Sequence, residues 1–388
     1  MQARKHSQNK FYRPELDAVR FVAFVFVFLQ HDIPSGDRPI VQGILKSYAP
    51  LYISLHGVFQ FGLSLFFTLS AFLICELLLR ERDVTGTIGV KEFYIRRILR
   101  IWPLYYLALA IGLGYALLSG GDRTAIAGLG WFALFMGSWY TTAHSFISSN
   151  PMFPLWSISV EEQFYLFVPW LAKYFHRRSL FVFCAVLILN ANGWLFYLGN
   201  GIPNDHRIWA NSFVQFECFA AGILLSLFLK SRVPALTTWQ RCLLLACGSI
   251  SWITASIGLT PPGGAAPSRW ALMGSYALVS AGSVLLIVAS LGISPKLLPR
   301  WTIYSGRISY GLYVYHVLAI YLVSSFFGRS SFARSMTLEV FWVGLITMTS
   351  IGLNFLLAAL SYRYFETPFL KLKQRHSVIE SQPIANGH

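Results

Sequence analysis

The chain has 388 residues, 55% of them hydrophobic and only 12% charged, against roughly 25% charged in a soluble domain. So few charges cannot cover a soluble surface. The formal net charge of +15 would suit nucleic acid, but the Lys and Arg residues gather in short loops between apolar runs, which reads as a topology signal and not as a nucleic-acid interface.

Apolar runs recur over residues 16–32, 57–79, 101–119, 124–140, 157–175, 179–198, 210–229, 242–259, 270–291, 308–328 and 337–360. About 20 such residues cross a hydrocarbon core of about 30 Å. The spacing predicts an all-α, polytopic transmembrane bundle with short tails: residues 1–11, a membrane domain over 12–370, and 371–388. The first 15 residues are polar and basic and no Ala-x-Ala site follows the first run, so that helix is expected to be its own insertion signal.

Loop charge tests the count of crossings. Arg4, Lys5, Lys10 and Arg13; Arg80 to Arg100; Lys173, Arg177 and Arg178; Lys230, Arg232 and Arg241; Lys296, Arg300 and Arg307; and Arg363, Lys371, Lys373 and Arg375 place 23 basic residues inside. Seven fall outside: Arg38, Lys46, Arg123, Arg207, Arg269, Arg329 and Arg334. An even number of crossings must separate Arg100 from Arg177, yet three runs lie between them. One of these is therefore not a full crossing, and 124–140 and 157–175 are the candidates. About ten crossings with both termini cytoplasmic is the expectation. The loop Pro261-Pro262-Gly263-Gly264 reads as a plain turn. The five cysteines, Cys75, Cys184, Cys218, Cys242 and Cys247, lack metal-ligand spacing and read as small core residues.

Three blocks place costly charges in or beside apolar runs. ELDAVRFVAFVFVFLQHD carries Asp17, Arg20, His31 and Asp32. Asp17 and Arg20 can pair on one helix face, and His31, eleven residues on, is expected to line the same cavity as Arg20. Histidine suits proton transfer because its ordinary pKa lies near 6.5. LWSISVEEQFYLFVPW holds Glu161 and Glu162, either the cap of a helix start behind Ser157 and Ser159 or a site in which one carboxylate orients the histidine or binds acceptor hydroxyls. FYIRRILRIWPLYYL holds Arg96, Arg97 and Arg100. Arg96 and Arg100, four apart, should share a face, and guanidinium forks suit the phosphates of a nucleotide-like donor. HGVFQFGLSLFFTLSAFLI, ISYGLYVYHVLAI with His316, and SYRYFETPFLKL with Glu366 read mainly as packing. No Walker, GxSxG or HExxH motif and no metal cluster is present.

With these blocks in this order, the chain resembles the membrane acyltransferase-3 family over residues 12 to 370. The family's Arg-x10-His pattern falls on Arg20 and His31, its basic block on Arg96, Arg97 and Arg100, and its acidic block on Glu161 and Glu162. Gln30 stands where many members carry a second His. The resemblance implies about ten helices in the cell (inner) membrane, no tightly bound cofactor, an acyl-CoA (acetyl-CoA) donor, and O-acylation of a carbohydrate-like acceptor such as a surface glycan, lipid-linked sugar or secreted metabolite. The expected catalytic set is His31, Asp32, Arg20, Glu161 and Glu162, with Arg96, Arg97 and Arg100 on the donor. The alternative is a transporter or flippase for a lipid-linked sugar, with the charges forming a polar path.

Overall fold

The computed structural model describes residues 11–34, 43, 45, 48–120, 123–199, 206–261, 266–327, 336–377 and 379. Arg4, Lys5, Lys10, Arg38, Lys46, Arg329, Arg334 and most of the Pro261–Gly264 turn lie outside the described residues. Among those described the chain is all-helical, with no strand. Ten helices have 18 residues or more: α1 Pro14–Asp32, α2 Phe61–Thr85, α3 Val90–Leu118, α4 Trp156–Tyr174, α5 Arg177–Leu198, α6 Ser212–Leu229, α7 Thr238–Leu259, α8 Arg269–Ser290, α9 Ser309–Phe327 and α10 Met336–Leu360. An 18-residue helix is about 27 Å long.

Their ends are marked by ordinary chemistry. Asn211 accepts from Phe213 N–H at the start of α6, Ser268 from Ala271 N–H at the start of α8, and Thr237 and Gln240 form a reciprocal capping box at the start of α7. Gly86, at φ 78°, closes α2 in the left-handed conformation that a Cβ disfavours.

By length and composition, eight stretches can cross a membrane: α2 with the preceding turn, α3, α5 to α9, and α10 continued to Gln374. The protein is a multi-pass membrane protein. The two long helices outside that set are α1 and α4, whose 19 residues each carry the acidic and basic residues singled out above. Ionisable groups at membrane depth must face protein or a watery cavity, and both helices lie inside the bundle. Asp17, Leu16, Ala23, Phe24 and Phe28 on α1 and Trp156 to Val160, Phe164 and Tyr165 on α4 are buried. The run 124–140 behaves differently from a crossing. It breaks into helices Arg123–Ala133 and Gly137–His144 around Phe135, whose φ is 55°, and 11 residues span only about 16 Å.

Packing is densest between α7 and α8, α2 and α6, and α9 and α10. In α2 and its preceding turn 78% of the most apolar window is buried, against 22% in α5, so α2 is central and α5 peripheral. Gly62 explains how close α2 comes to α1: a Cβ there would meet the Ala23 carbonyl oxygen and Phe26.

The basic loops converge at one end. Arg80 donates to Ser231 O (3.1 Å), Arg82 to Ala172 O (2.6 Å), Arg241 to Leu291 O (2.7 Å), Arg307 to Tyr12 Oη (2.9 Å), and Arg96 to His376 O (2.8 Å). Both terminal segments, as far as they are described, therefore share the end at which the loops assigned inside are gathered. Cys75, Cys184 and Cys218 are buried as expected, whereas Cys242 and Cys247 are exposed on α7.

Candidate active site

A cavity of about 160 Å³ opens near the basic end. The first turns of α1 contribute Asp17 and Arg20, α3 contributes Arg97 and Arg100, α4 contributes Ser157, Glu161 and Tyr165, and α9 contributes Tyr310 and Tyr313. Arg20 Nη1 donates to Asp17 Oδ1 at 2.5 Å, with the carboxylate only 1% exposed. Helical side chains lean toward their own N-terminus, and Arg20 accordingly reaches back toward Asp17 and the basic end. Arg97 lies over the rings of Phe93 and Tyr165, each at 5.7 Å, and its Nε is buried with no hydrogen-bond partner. Tyr12, just ahead of α1, also lines the cavity. Burial, with Asp17 nearby, holds its phenol above the ordinary value, so it stays a neutral donor and acceptor.

The residues expected to act together are divided. Arg96 and Arg100 do not serve one face of the site: Arg96 pairs with Glu81 at 3.0 Å beside a second, smaller cavity, and Arg97 takes its place beside Arg100. The reason lies in the partner, since Glu81 on α2 draws Arg96 away. Glu161 lines the main cavity near the Ser70–Tyr165 hydrogen bond (2.7 Å). Glu162 points to α3 and accepts from Trp102 Nε1 at 3.1 Å. Neither carboxylate belongs to a cap. The helix begins at Trp156, Ser157 bonds Pro154 O (3.0 Å) and Tyr313 Oη (2.5 Å), and Ser159 accepts from Gly137 N–H (3.2 Å).

His31 lies elsewhere. It ends α1, about 16 Å beyond Arg20 at 1.5 Å per residue, and does not line the cavity that holds Arg20. The two do not share the expected cavity; Tyr313 and Ser157, joined by their 2.5 Å bond, line the one that holds Arg20, and the Tyr313 ring lies 5.4 Å from that of His316. Beyond them is a histidine pair. His31 Nδ1 is 2.8 Å from Val27 O and 3.3 Å from His316 Nε2, and the rings meet edge to face at 4.9 Å between centroids. His316, one turn past Tyr313 on α9, is fully buried and its Nδ1 lies 2.5 Å from Tyr313 O. A carbonyl oxygen can only accept, so in both rings Nδ1 carries the proton. That leaves His316 Nε2 to accept from His31, and His31 Nε2 bare on an exposed ring. Asp32 does not orient His31, because its carboxylate accepts from Thr347 Oγ1 on α10.

Sequence reasoning treated His316 as packing. The tyrosine-rich ISYGLYVYH block flagged the segment, but no periodicity says that this ring meets His31 from 285 residues away.

This is a membrane-embedded helical bundle with a basic cavity and, apart from it, a histidine with a bare ring nitrogen, groups able to bind an anion and to move a proton. A family model for an acyltransferase domain, acyltransferase-3, matches residues 13–359, and the chain belongs to that family. Curated relatives include a "Putative O-acetyltransferase" from Staphylococcus aureus strain MSSA476, 27% identical over 383 residues and 93% of this chain. Another is "O-acetyltransferase OatA" from strain NCTC 8325, 22% identical over 334 residues and 80% of this chain. The matches cover 58% and 52% of those relatives' own lengths. No solved structure matches the chain.

Proposed function

We propose that this protein is an integral membrane O-acyltransferase of about ten crossings in the cell (inner) membrane. It moves an acyl group, most simply acetyl, from acyl-CoA to a hydroxyl of a carbohydrate-like acceptor: a surface glycan, a lipid-linked sugar or a secreted metabolite. The observation that carries the reading is the histidine pair set beyond a basic cavity in a chain of the acyltransferase-3 family.

In this reading the basic end is cytoplasmic, and the donor's phosphates meet Arg97 and Arg100 while its thioester arm extends past Tyr313 and Ser157 toward His31. His31 Nε2 takes the proton of the acceptor hydroxyl as that oxygen attacks the thioester carbonyl. Collapse of the tetrahedral intermediate expels the CoA thiolate, which recovers the proton from the imidazolium. The Val27 carbonyl and His316 Nε2 both accept from the His31 Nδ1–H and hold its tautomer, the role that a carboxylate or carbonyl often plays behind a catalytic histidine. Arg20, tied to Asp17, belongs with the donor phosphates.

The test is thiol release from acetyl-CoA by detergent-purified protein with a panel of glycan and polyol acceptors. Acceptor-dependent release that is lost in His31→Ala supports the reading. Full release by a well-folded His31→Ala protein would overturn the mechanism, and no release with any acceptor would favour transport.

A further inference from the structure

The basic cavity is completed from the far end of the chain. After α10 a π-helical turn, Ser361–Glu366, leads into the short helix Thr367–Gln374, which packs against α3. The Arg96 bond to His376 O pins the segment that follows. This brings Lys373 into the walls of both the 160 Å³ cavity and the smaller one beside it, which Arg97 also lines.

Lys373 is only 7% exposed. Arg20 has Asp17 and Arg96 has Glu81, but the Lys373 ammonium has no ion-pair or hydrogen-bond partner among the described residues. Among the described residues that line the larger cavity, the cations Arg13, Arg20, Arg97, Arg100 and Lys373 outnumber the carboxylates of Asp17 and Glu161. A buried ammonium in such company is destabilised twice, by lost hydration and by repulsion from like charges. An anion in the cavity relieves both.

We infer that Lys373 is a binding residue for a phosphoryl group of the acyl donor, so that the C-terminal helix forms one wall of the donor site. The inference rests on the acyl-CoA donor proposed above. The smaller cavity, about 20 Å³, holds little more than one water. The phosphate therefore meets Lys373 from the larger one. Coenzyme A offers a diphosphate and a 3′-phosphate, and either chemistry satisfies the ammonium.

The experiment titrates coenzyme A and 3′-dephospho-coenzyme A calorimetrically into the full chain in detergent, as wild type, Lys373→Met and Lys373→Arg. Met keeps the aliphatic bulk and removes the buried charge, so the variant should remain monodisperse and melt no lower than wild type. Lys373→Met should bind coenzyme A about ten- to hundredfold more weakly, the range for losing a charged hydrogen bond, and Lys373→Arg should recover most of the loss. If the penalty vanishes with 3′-dephospho-coenzyme A, the lysine meets the 3′-phosphate; if it persists, the lysine meets the diphosphate. Both results support the assignment. Equal affinity of wild type and Lys373→Met for coenzyme A would overturn it and leave the donor reading intact. Failure of the wild type to bind coenzyme A would remove the donor reading and this inference with it.

Discussion

Replacing Asp17 with Asn tests whether Arg20 is a structural partner or a working residue. The carboxylate is 1% exposed and the Arg20 side chain 21%, with 2.5 Å between them. Removing one member of a buried pair leaves the other charge uncompensated, at a cost of about 3 to 5 kcal/mol. Arg20 keeps some access to the cavity, which argues for the lower end, about 3 kcal/mol. Glu76, Glu81 and Asp83 cannot take over, because among the described residues they already pair with Arg80, Arg96 and Arg177. Asp17→Asn should therefore melt several degrees below wild type in a thermal unfolding assay in detergent. The double variant Asp17→Asn, Arg20→Gln removes the stranded charge and should regain most of the lost stability. Activity separates the two roles. If Arg20 also binds donor phosphate, the double variant stays impaired in thiol release even though it is stable again, with the loss expressed in KM for acetyl-CoA. A single Asp17→Asn variant as stable as wild type would refute the buried-pair reasoning, and a double variant with full activity would refute a role for Arg20 beyond pairing.

Four further outcomes are expected. His31→Ala should lose about 10²- to 10⁴-fold in kcat, the usual worth of a general base; His316→Gln, which disturbs the 3.3 Å contact behind that base and the bond to Tyr313 O, should lose about tenfold or less, and an equal loss in both would mean that His316 itself handles a proton of the reaction. Glu161→Gln should alter acetyl-CoA turnover, whereas Glu162→Gln, whose partner is the Trp102 indole, should cost about 1 kcal/mol of stability with turnover retained; the reverse pattern would show that the two carboxylates have been assigned to the wrong sides of α4. Gly306→Ala would place a Cβ against the Asp17 backbone and should destabilise the fold by about 1 to 3 kcal/mol, read as a lower melting temperature; an unchanged one would mean that the short helix Arg300–Arg307 moves freely away from α1. Tyr313→Phe removes the bond to Ser157, and if that bond closes the cavity's inner end, the variant should change the rate of thiol release; a rate and KM identical to wild type would deny it that role.

Most of the fold could be read without a structure, for a reason specific to membranes. In hydrocarbon every backbone group must bond within its own segment, so length and apolar content alone locate helices. Each expected run except 124–140 is a long helix near its expected place. The failures are local. α3 starts at Val90 and α2 runs on to Thr85, because amphipathic polar turns extend both helices beyond their apolar windows. The run 124–140 is apolar throughout yet breaks at Phe135, which a composition window does not register.

The site divides in the same way. Sequence by itself determined which residues were worth suspecting: an Arg, a His or a Glu in a membrane helix is expensive wherever it points, and that expense is visible in a string of letters. Periodicity also fixes relative direction, so Glu161 and Glu162 were bound to diverge. Only the tertiary structure decided what each direction meets. It set Arg97 and not Arg96 beside Arg100, because Glu81 on a neighbouring helix claims Arg96. It gave His31 a second histidine in place of Asp32, and it brought Lys373 to a cavity built mainly from the first half of the bundle. Those partners lie tens to hundreds of residues apart, and a helical period carries no information about which other helix stands opposite.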